Sequence, residues 1–341
     1  MGLKFIFVIL CCCVVFILFL NILKRTSMNS TEKEFTYLHH VNSMNKDISL
    51  NVKFTIEPHC DSDFVIWIVT SSAEDSLSRM ILRRAYSIQE LKTLNIRRVF
   101  LLGTPKNNNT WKSILNESQK YHDILQGDFL EDYRNLTLKH LMGLKWASNN
   151  CTASFLIKTD DDIIVDVFEV QKLLQEKTLK QDAMSGYALR NMKPMRARNN
   201  KWFVTEEDFS ENIYPDFLSG WFYITGLKTA QQLVSRSKTF LNFFWIDDIY
   251  VTGILRKTCG IKIEELNNLY TMDYRKKLKC EFIAGPDGGK KELHIKFKEF
   301  SDFCQRNCVK RTKGQLVSET CVATYEENIN IKNSQVQITY F

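Results

Sequence analysis

Short apolar runs alternate with stretches of helical spacing in the chain after residue 60. The β-branched and aromatic run at 64–70 predicts a strand, the spacing at 75–94 predicts a helix, and residues 98–102, which close at Gly103, predict a second strand. Further predicted elements are a loop at 107–110, helices at 111–121 and 132–148, a buried strand at 155–159, a helix at 167–176, a strand at 184–189 and a basic loop at 190–200. This alternation predicts an α/β fold with a mostly parallel central sheet, in which ligands gather at the carboxyl ends of the strands.

The N-terminal segment has a different pattern. Residues 5–23 form a 19-residue apolar stretch broken only by Asn21. It predicts one uncleaved signal-anchor transmembrane helix; the alternative, a cleaved signal peptide, has a shorter apolar region of roughly 7 to 15 residues and a small-residue cleavage site, which is not clear here. The flanking charges do not establish the orientation of the helix. The predicted segments are a tail at 1–4, the anchor at 5–23, a polar stem at 24–59, a folded domain at 60–325 and a C-terminal tail at 326–341.

Five glycosylation triplets of the type Asn-x-Ser/Thr follow the anchor and favour a lumenal position for the rest of the chain. Their asparagines are Asn29, Asn108, Asn116, Asn135 and Asn150.

The chain has ten cysteines, of which Cys11, Cys12 and Cys13 lie in the apolar stretch. In an oxidising lumen most of the others would pair, and their odd number leaves one free or bridged to another chain. Cys304 and Cys308 have the spacing of metal ligands on one helix, but no histidine follows at the distance of a zinc site. Disulfides are therefore favoured, although the sequence does not define their pairing.

Composition narrows the classes of function. The chain is 44% hydrophobic, which suffices for a substantial core, and its net charge of +7 with a pI near 8.8 is mildly basic. Nucleic-acid binding would require a clustered basic face with interleaved aromatic residues or a known module, and neither is evident, so no nucleic-acid partner is predicted. Attraction to a diphosphate or an anionic membrane surface fits the charge, as do ordinary solvated lysines.

Three consecutive aspartates, Asp160, Asp161 and Asp162, follow the buried strand predicted at 155–159. Adjacent carboxylates repel one another unless a cation holds them, and their hard oxygen atoms are ligands that Mg²⁺ and Mn²⁺ prefer. The acidic triplet therefore favours a metal site that carries a diphosphate, with a solvated acidic turn as the alternative.

Two other chemistries fit the triplet less well. Ile164 and Val165 fill positions where a calcium loop of the EF-hand type needs an oxygen ligand or a glycine. A phosphatase of the haloacid dehalogenase type also has two aspartates that flank one residue after a strand, an arrangement that Asp160 and Asp162 could mimic. The phosphatase is the rival enzyme at this point.

An ordered set of motifs surrounds the triplet and resembles the beta-1,3-galactosyltransferase family over roughly residues 64–265. The linked order makes this resemblance specific, whereas the triplet alone would be weak. The motifs are Phe100-Leu-Leu-Gly103, Glu117-Ser118, Tyr121-His-Asp-Ile124, Asp128-Phe129, Asp132-Tyr133, Asn135-Leu-Thr-Leu-Lys139, Gly143-Leu-Lys-Trp146, Cys151, Lys158-Thr-Asp-Asp-Asp162, Tyr214-Pro215, Ser219-Gly220 and Asp247-Asp-Ile-Tyr-Val251.

The resemblance implies a GT-A-type nucleotide-sugar-binding fold in a type II Golgi membrane protein whose catalytic domain is lumenal. It implies transfer of a hexose, with galactose favoured, from a UDP-sugar to a hydroxyl of a glycan on a glycoprotein or glycolipid, in a beta-1,3 linkage with inversion. The donor would be UDP-galactose or UDP-N-acetylglucosamine. The cofactor would be Mn²⁺, with Mg²⁺ as the alternative.

The resemblance also implies roles for individual residues. Asp162 would be a direct metal ligand, and Asp160 and Asp161 would contact metal-bound water or the ribose. The expected metal residues are Asp160, Asp162 and His294; the expected nucleotide-sugar residues are Lys158, Asp160, Asp161, Arg83 and Arg84; and the expected acceptor residues are Ser219, Gly220, Trp221 and Asp247.

Asp248 matches the general base of the family, with Asp247 in place of the more usual glutamate. A sugar hydroxyl is a poor nucleophile near neutral pH, so a positioned carboxylate must accept its proton during attack. Simpler interpretations remain open, because Asp247 and Asp248 could cap a helix and Trp221 could pack in the core.

Several positions depart from the family pattern. The segment after Arg83 and Arg84 differs, so a donor-binding arginine is missing unless Arg79, Arg83 or Arg84 replaces it. Leu218 stands where the family has a cysteine, and residues 280–285 lack the expected histidine, for which His294 is the nearest candidate. These departures keep a second hypothesis open, an inactive relative that binds carbohydrate or assists another transferase.

Overall fold

The structure, a computed structural model, describes residues 52–60, 64–176, 179–240, 243–270, 280 and 282–307. The predicted signal anchor, Asn29 and the predicted C-terminal tail lie outside these residues. Within the described part of the chain, no helix has the length and apolar character needed to cross a membrane.

Two sheets are present in the described residues. The larger has eight strands: β1 (Phe54–Ile56), β2 (Val65–Thr70), β3 (Ile96–Thr104), β4 (Ile124–Leu130), β5 (Phe155–Asp160), β7 (Ala183–Leu189), β8 (Phe217–Gly226) and β9 (Lys262–Glu265). The smaller pairs β6 (Ile163–Val165) with β10 (Ala284–Pro286) in antiparallel fashion.

The helices are α1 (Ser76–Ala85), α2 (Ile88–Thr93), α3 (Asn108–Tyr121), α4 (Leu136–Asn150), α5 (Val167–Gln175), α6 (Leu227–Ser237), α7 (Arg256–Thr258) and α8 (Leu293–Asn307). Two 3₁₀ turns, Tyr133–Asn135 and Asn267–Leu269, and a π-helix, Ile249–Leu255, complete the regular structure.

The strand order in the large sheet is β1-β4-β3-β2-β5-β8-β7-β9. The four strands from β4 to β5 are mutually parallel, which confirms the predicted α/β fold around a parallel centre. Beyond them, β8 lies antiparallel to both β5 and β7, and β1 lies antiparallel to β4. In the register of β2 and β5, Thr70 pairs with Asp160, so both strands end at the same edge of the sheet.

Both faces of β2 are covered, because all six of its residues are buried. Trp67 packs in a core cluster that includes Leu82 of α1 and Val170 of α5. On the other face, α4 crosses so closely that a Cβ atom at Gly143 would lie 3.0 Å from the Ile68 side chain. This two-sided packing explains why the strand is continuously apolar.

The helix predicted at 75–94 is two helices in the structure. The backbone of Tyr86 is extended, and the Ser87 side chain accepts a hydrogen bond from the Glu90 N–H as the N-cap of α2. The prediction of a loop at 107–110 is also wrong, because Asn107 caps α3 and the helix begins at Asn108. In both places a short polar side chain satisfies the first N–H groups of a helix, a signal that apolar spacing does not carry.

Several elements were not predicted. β1 lies in the segment assigned to the stem and pairs with β4, so the sheet extends N-terminal to Cys60. β4, β8 and α8 were also missed. β4 and β8 contain glycines, which weaken a strand pattern in the sequence.

Two disulfides join described cysteines, Cys60–Cys151 and Cys280–Cys304. Cys259 is free within the described residues, and the remaining cysteines outside the apolar stretch are not described. Cys304 therefore bonds to a cysteine outside its own helix, in agreement with the preference for disulfides over a metal site.

The predicted glycosylation asparagines differ in their surroundings. Asn108, Asn116 and Asn150 are exposed. Asn135 is half-buried, its side-chain nitrogen donates to the Leu130 carbonyl at 2.9 Å, and the Thr137 hydroxyl of the same triplet is buried. Glycosylation at Asn135 would therefore require this segment to be modified before it folds.

A network of buried ion pairs connects α1 to α3. Glu117 accepts hydrogen bonds from Arg79 Nη2 at 2.8 Å and from Arg83 Nη1 at 2.6 Å, and Arg83 Nη2 donates to Asp123 Oδ1 at 2.7 Å. The Arg83 guanidinium also lies 4.1 Å from the centre of the Tyr121 ring. Glu117 thus bridges two guanidinium groups, and Asp123 supplies a second negative charge to Arg83.

We predict that Glu117→Ala lowers the free energy of unfolding by about 3 to 5 kcal/mol, since it leaves Arg79 and Arg83 without a shared counter-charge. Denaturant unfolding of the variant and of Glu207→Ala, an exposed control, measures the difference. Equal midpoints for the two variants would contradict the structural role of the network.

Candidate functional site

A cavity of about 810 Å³ opens at the carboxyl ends of β2 and β5. In open α/β sheets this edge is the usual place for ligands. Its walls come from five segments that are distant in sequence: residues 70–74 after β2, 131–139 after β4, 160–162 after β5, 189–221 from the end of β7 into β8, and 246–249 before the π-helix.

The acidic triplet lines this cavity. Ser71 Oγ donates to Asp161 Oδ2 at 2.7 Å, and the Asp162 carbonyl accepts from the Asp287 N–H at 2.8 Å. Burial raises the pKa of Asp160 to about 6 and that of Asp161 to about 7, and the neighbouring carboxylates add to the rise. Three carboxyl groups with raised pKa values make a site that a cation would stabilise.

The amino group of Lys158 is buried between the triplet and β8. Its Nζ donates to Asp160 Oδ1 at 2.7 Å and to the Gly220 carbonyl at 2.5 Å, and lies 3.7 Å from Asp247 Oδ2. Burial disfavours the charge, but Asp160 and Asp247 raise the pKa of Lys158 above its usual value. The sequence predicted that Lys158 binds the nucleotide sugar; the structure places its ammonium within this internal network.

Two adjacent aspartates have opposite electrostatic environments. Burial alone would raise the pKa of Asp247, but Lys158 and His140 hold it well below its usual range. Burial and the negative charge of Asp247 raise the pKa of Asp248 to about 7. Asp247 is therefore ionised at neutral pH, whereas Asp248 can exchange a proton near neutral pH.

Gly220 allows the Asp248 carboxyl group to lie against β8. A Cβ atom at Gly220 would lie 3.2 Å from the Asp248 Cβ and 3.7 Å from its Cγ. Asp248 Oδ1 accepts from the Ile249 N–H at 2.8 Å, so the capping role expected for this pair is present. The remaining carboxylate oxygen is not used by that cap.

His140 completes the surroundings of Asp247 and was not predicted. Its Nδ1 lies 2.9 Å from Asp247 Oδ2, and its Nε2 lies 2.6 Å from the Tyr223 hydroxyl. Burial lowers the pKa of His140, so the ring is neutral. Because the Asp247 carboxylate can only accept, we assign the ring proton to Nδ1, and Tyr223 donates to Nε2.

His294 lies near the triplet with an unusual environment. It is 1% exposed, and neither ring nitrogen has a hydrogen-bond partner among the described residues. Its Nε2 is 3.5 Å from Asp287 Oδ2. Burial and the negative charge of Asp287 raise the pKa of Asp162, and His294 lowers it. Across the described ranges, however, no three His, Cys, Asp or Glu side chains are grouped closely enough to enclose a metal.

The residues expected to bind substrates divide into two groups. Ser219, Gly220 and Trp221 line the cavity, as do Asp247 and the triplet. Arg83 and Arg84 do not: Arg83 belongs to the ion-pair network of α1 and α3, and Arg84 is exposed. The structure thus brings the acidic and acceptor-side residues together and places the arginines elsewhere.

Comparison with known proteins gives the class of this molecule. The Galactosyltransferase family model matches residues 78–267. Human beta-1,3-galactosyltransferase 5 is 32% identical over 232 residues, which cover 64% of this chain and 74% of that protein. Mouse lactosylceramide 1,3-N-acetyl-beta-D-glucosaminyltransferase is 29% identical, with 67% of each chain covered.

The chain therefore belongs to the galactosyltransferase family and is a glycosyltransferase of the beta-1,3-galactosyltransferase type. This membership confirms the family resemblance of the motifs and excludes the phosphatase. Among solved structures, the galactosyltransferase LgtC gives a TM-score of 0.33 at 9% identity over 61% of this chain and 75% of that one, which is too low to bear on the assignment.

We predict that Tyr223→Phe lowers the free energy of unfolding by about 1 to 3 kcal/mol, because it leaves the buried Nε2 of His140 without a donor. Tyr214→Phe is the matched control, since the Tyr214 hydroxyl is buried and has no partner in the described structure. Denaturant unfolding compares the two. If Tyr214→Phe lowers the free energy of unfolding as much as Tyr223→Phe does, the hydrogen bond to His140 is not the cause of the effect.

Proposed function

We propose that this protein transfers galactose from UDP-galactose to a hydroxyl of a glycan, in a beta-1,3 linkage and with inversion. One observation carries the proposal: Asp248, whose pKa is near 7, lies against Gly220 in the same cavity as the acidic triplet. A proton acceptor and a cation-binding site in one cavity are the two parts that this transfer requires.

In the proposed reaction Asp248 accepts the proton of the attacking hydroxyl, while Asp247 does not. The low pKa of Asp247 makes it a weak base, and its oxygen is shared between His140 and Lys158. Asp247 instead keeps the pKa of Asp248 high through its fixed negative charge. A base with a pKa near the working pH combines the correct charge state with useful basicity.

We further propose that Asp162 and His294 hold Mn²⁺, with Asp160 nearby. Support comes from the ring nitrogens of His294, which have no hydrogen-bond partner among the described residues, and from the raised pKa values of the three carboxyl groups of the triplet. One carboxylate oxygen and one imidazole nitrogen do not by themselves select Mn²⁺ or Mg²⁺ over Zn²⁺. The diphosphate of the donor would supply further oxygen ligands, which Mn²⁺ and Mg²⁺ prefer. A metal at this point would stabilise the negative charge that develops on UDP.

A Golgi location with a single N-terminal anchor and a lumenal catalytic domain is part of the proposal. The apolar stretch at 5–23, the exposed glycosylation asparagines and the two disulfides support it.

The alternative is a relative without transferase activity. It is favoured by the position of Arg83, which is committed to Glu117 and Asp123 and does not line the cavity. UDP release by the full-length protein in detergent separates the two functions. Release from UDP-galactose that needs Mn²⁺ and rises with a glycan acceptor supports the transferase; no release from any donor across a broad acceptor panel supports the alternative.

We predict that Asp248→Asn lowers the turnover number by about 10²- to 10⁴-fold while UDP binding is retained, because only the proton acceptor is removed. In the unchanged protein, kcat/KM should rise as the pH increases through about 7, where Asp248 becomes ionised. Asp182→Asn, an exposed carboxylate outside the cavity, is the control. Full turnover in Asp248→Asn would remove this residue from its role.

We also predict that Asp162→Ala weakens Mn²⁺-dependent UDP binding at least about tenfold, since a metal ligand is lost. His294→Ala should act in the same direction. Calorimetric titration of UDP with Mn²⁺ or with chelator measures the effect. If the variant and the unchanged protein bind UDP equally in Mn²⁺, the metal is held elsewhere.

A further inference from the structure

The outer part of the cavity carries two large aromatic side chains that are nearly half exposed. Tyr133, on the 3₁₀ turn after β4, is 44% exposed, and Trp202, on the loop between β7 and β8, is 45% exposed. Trp202 Nε1 donates to the Tyr133 hydroxyl at 2.9 Å, so the two rings are held as a unit. We call this pair the aromatic platform. Both residues line the cavity that contains Asp248.

Apolar and basic side chains accompany the aromatic platform. Met192 and Met195, 43% and 39% exposed, line the same cavity. The Lys201 ammonium lies 4.4 Å from the centre of the Trp202 ring. Exposed aromatic and methionine side chains at the mouth of a cavity form a surface that a ligand with apolar faces can cover.

The aromatic platform is close to the proposed general base. Burial is the main cause of the raised pKa of Tyr133, and the charges of Asp247, Asp248 and Asp160 add to it. Trp221, next to Gly220, is a separate aromatic side chain on the cavity wall. A sugar with its hydroxyl at Asp248 would lie beside Gly220, which leaves the aromatic platform for a neighbouring ring.

Tyr214 supplies an independent sign of a ligand. It lines the cavity and is 6% exposed, yet its hydroxyl has no hydrogen-bond partner in the described residues. Its ring is fixed by Phe209 at 4.9 Å and by Phe244 at 6.0 Å between centres. A buried hydroxyl without a partner costs free energy that a ligand hydroxyl would recover.

We infer that Tyr133, Trp202 and Tyr214 form a subsite for the second sugar ring of the acceptor. The acceptor is therefore an oligosaccharide of at least two units, and a monosaccharide or an amino-acid hydroxyl is a poor substrate. The apolar face of the ring stacks on the aromatic platform, and one of its hydroxyls bonds to Tyr214. This inference rests on the proposed function, since it assigns the acceptor class of the same site.

Acceptor kinetics of the full-length protein test the subsite. Methyl β-N-acetylglucosaminide and methyl β-galactoside are each compared with the disaccharide methyl glycoside that carries the same terminal sugar. We expect a KM for the better disaccharide that is about 2- to 12-fold lower than for its monosaccharide, the range of an aromatic contact. Trp202→Ala should remove this advantage with kcat unchanged, and Trp202→Phe should restore part of it.

Tyr214→Phe should raise the KM of the disaccharide without changing that of the monosaccharide. Met80→Ala, 53% exposed and outside the cavity, is the control for loss of a surface apolar side chain. Equal KM values for the two acceptor lengths, or an equal rise for both in Trp202→Ala, would overturn the subsite while transfer itself remains established.

Absence of any turnover would contradict the proposed function and not the subsite. In that case saturation-transfer NMR of the same disaccharides bound to the full-length protein gives the answer. The inference is supported if both sugar rings contact the unchanged protein and only the first ring contacts Trp202→Ala. Contacts to one ring only, or an identical pattern in the variant, overturn it.

Discussion

The buried ammonium of Lys158 is the constraint on which the site depends. It joins the end of β5 to β8 by binding Asp160 and the Gly220 carbonyl, and it supplies charge to Asp247. A buried lysine is costly unless its donors are satisfied, so these partners cannot move apart without exposing the charge. Lys158 therefore adds a buried side-chain link between the acidic triplet and β8 to the backbone pairing of β5 with β8.

The same constraint separates the properties of Asp247 and Asp248. Lys158 and His140 keep Asp247 ionised, and this fixed charge in turn makes Asp248 harder to ionise. Neighbouring residues in sequence thus differ because Asp247 contacts Lys158 and His140, whereas Asp248 accepts a hydrogen bond from the Ile249 N–H and lies beside the charge of Asp247. In the proposed reaction the proton acceptor and the fixed charge that raises its pKa are therefore different side chains, although both are aspartates.

The sequence alone predicted the parts of the site in which the reactive side chains are adjacent in the chain. The strand before the acidic triplet, the parallel centre of the sheet and the acidic pair of Asp247 and Asp248 were predicted and lie where ligands gather. His140 was missed because α4 is buried around much of its circumference. Its polar residues look like a solvent face in the sequence, whereas the structure gives Thr137, Lys139 and His140 buried partners.

The Cys60–Cys151 disulfide closes a loop with a sequence separation of 91, which contains β2, β3, β4 and α4. In the chain-entropy model such a link restricts the denatured ensemble by roughly 4 to 5 kcal/mol and adds no contact to the folded state. Two of the five segments that line the cavity, 70–74 and 131–139, thus remain tethered when the chain unfolds. A molecule synthesised in a reducing compartment would have the same fold available but a much larger set of unfolded conformations to compete with it.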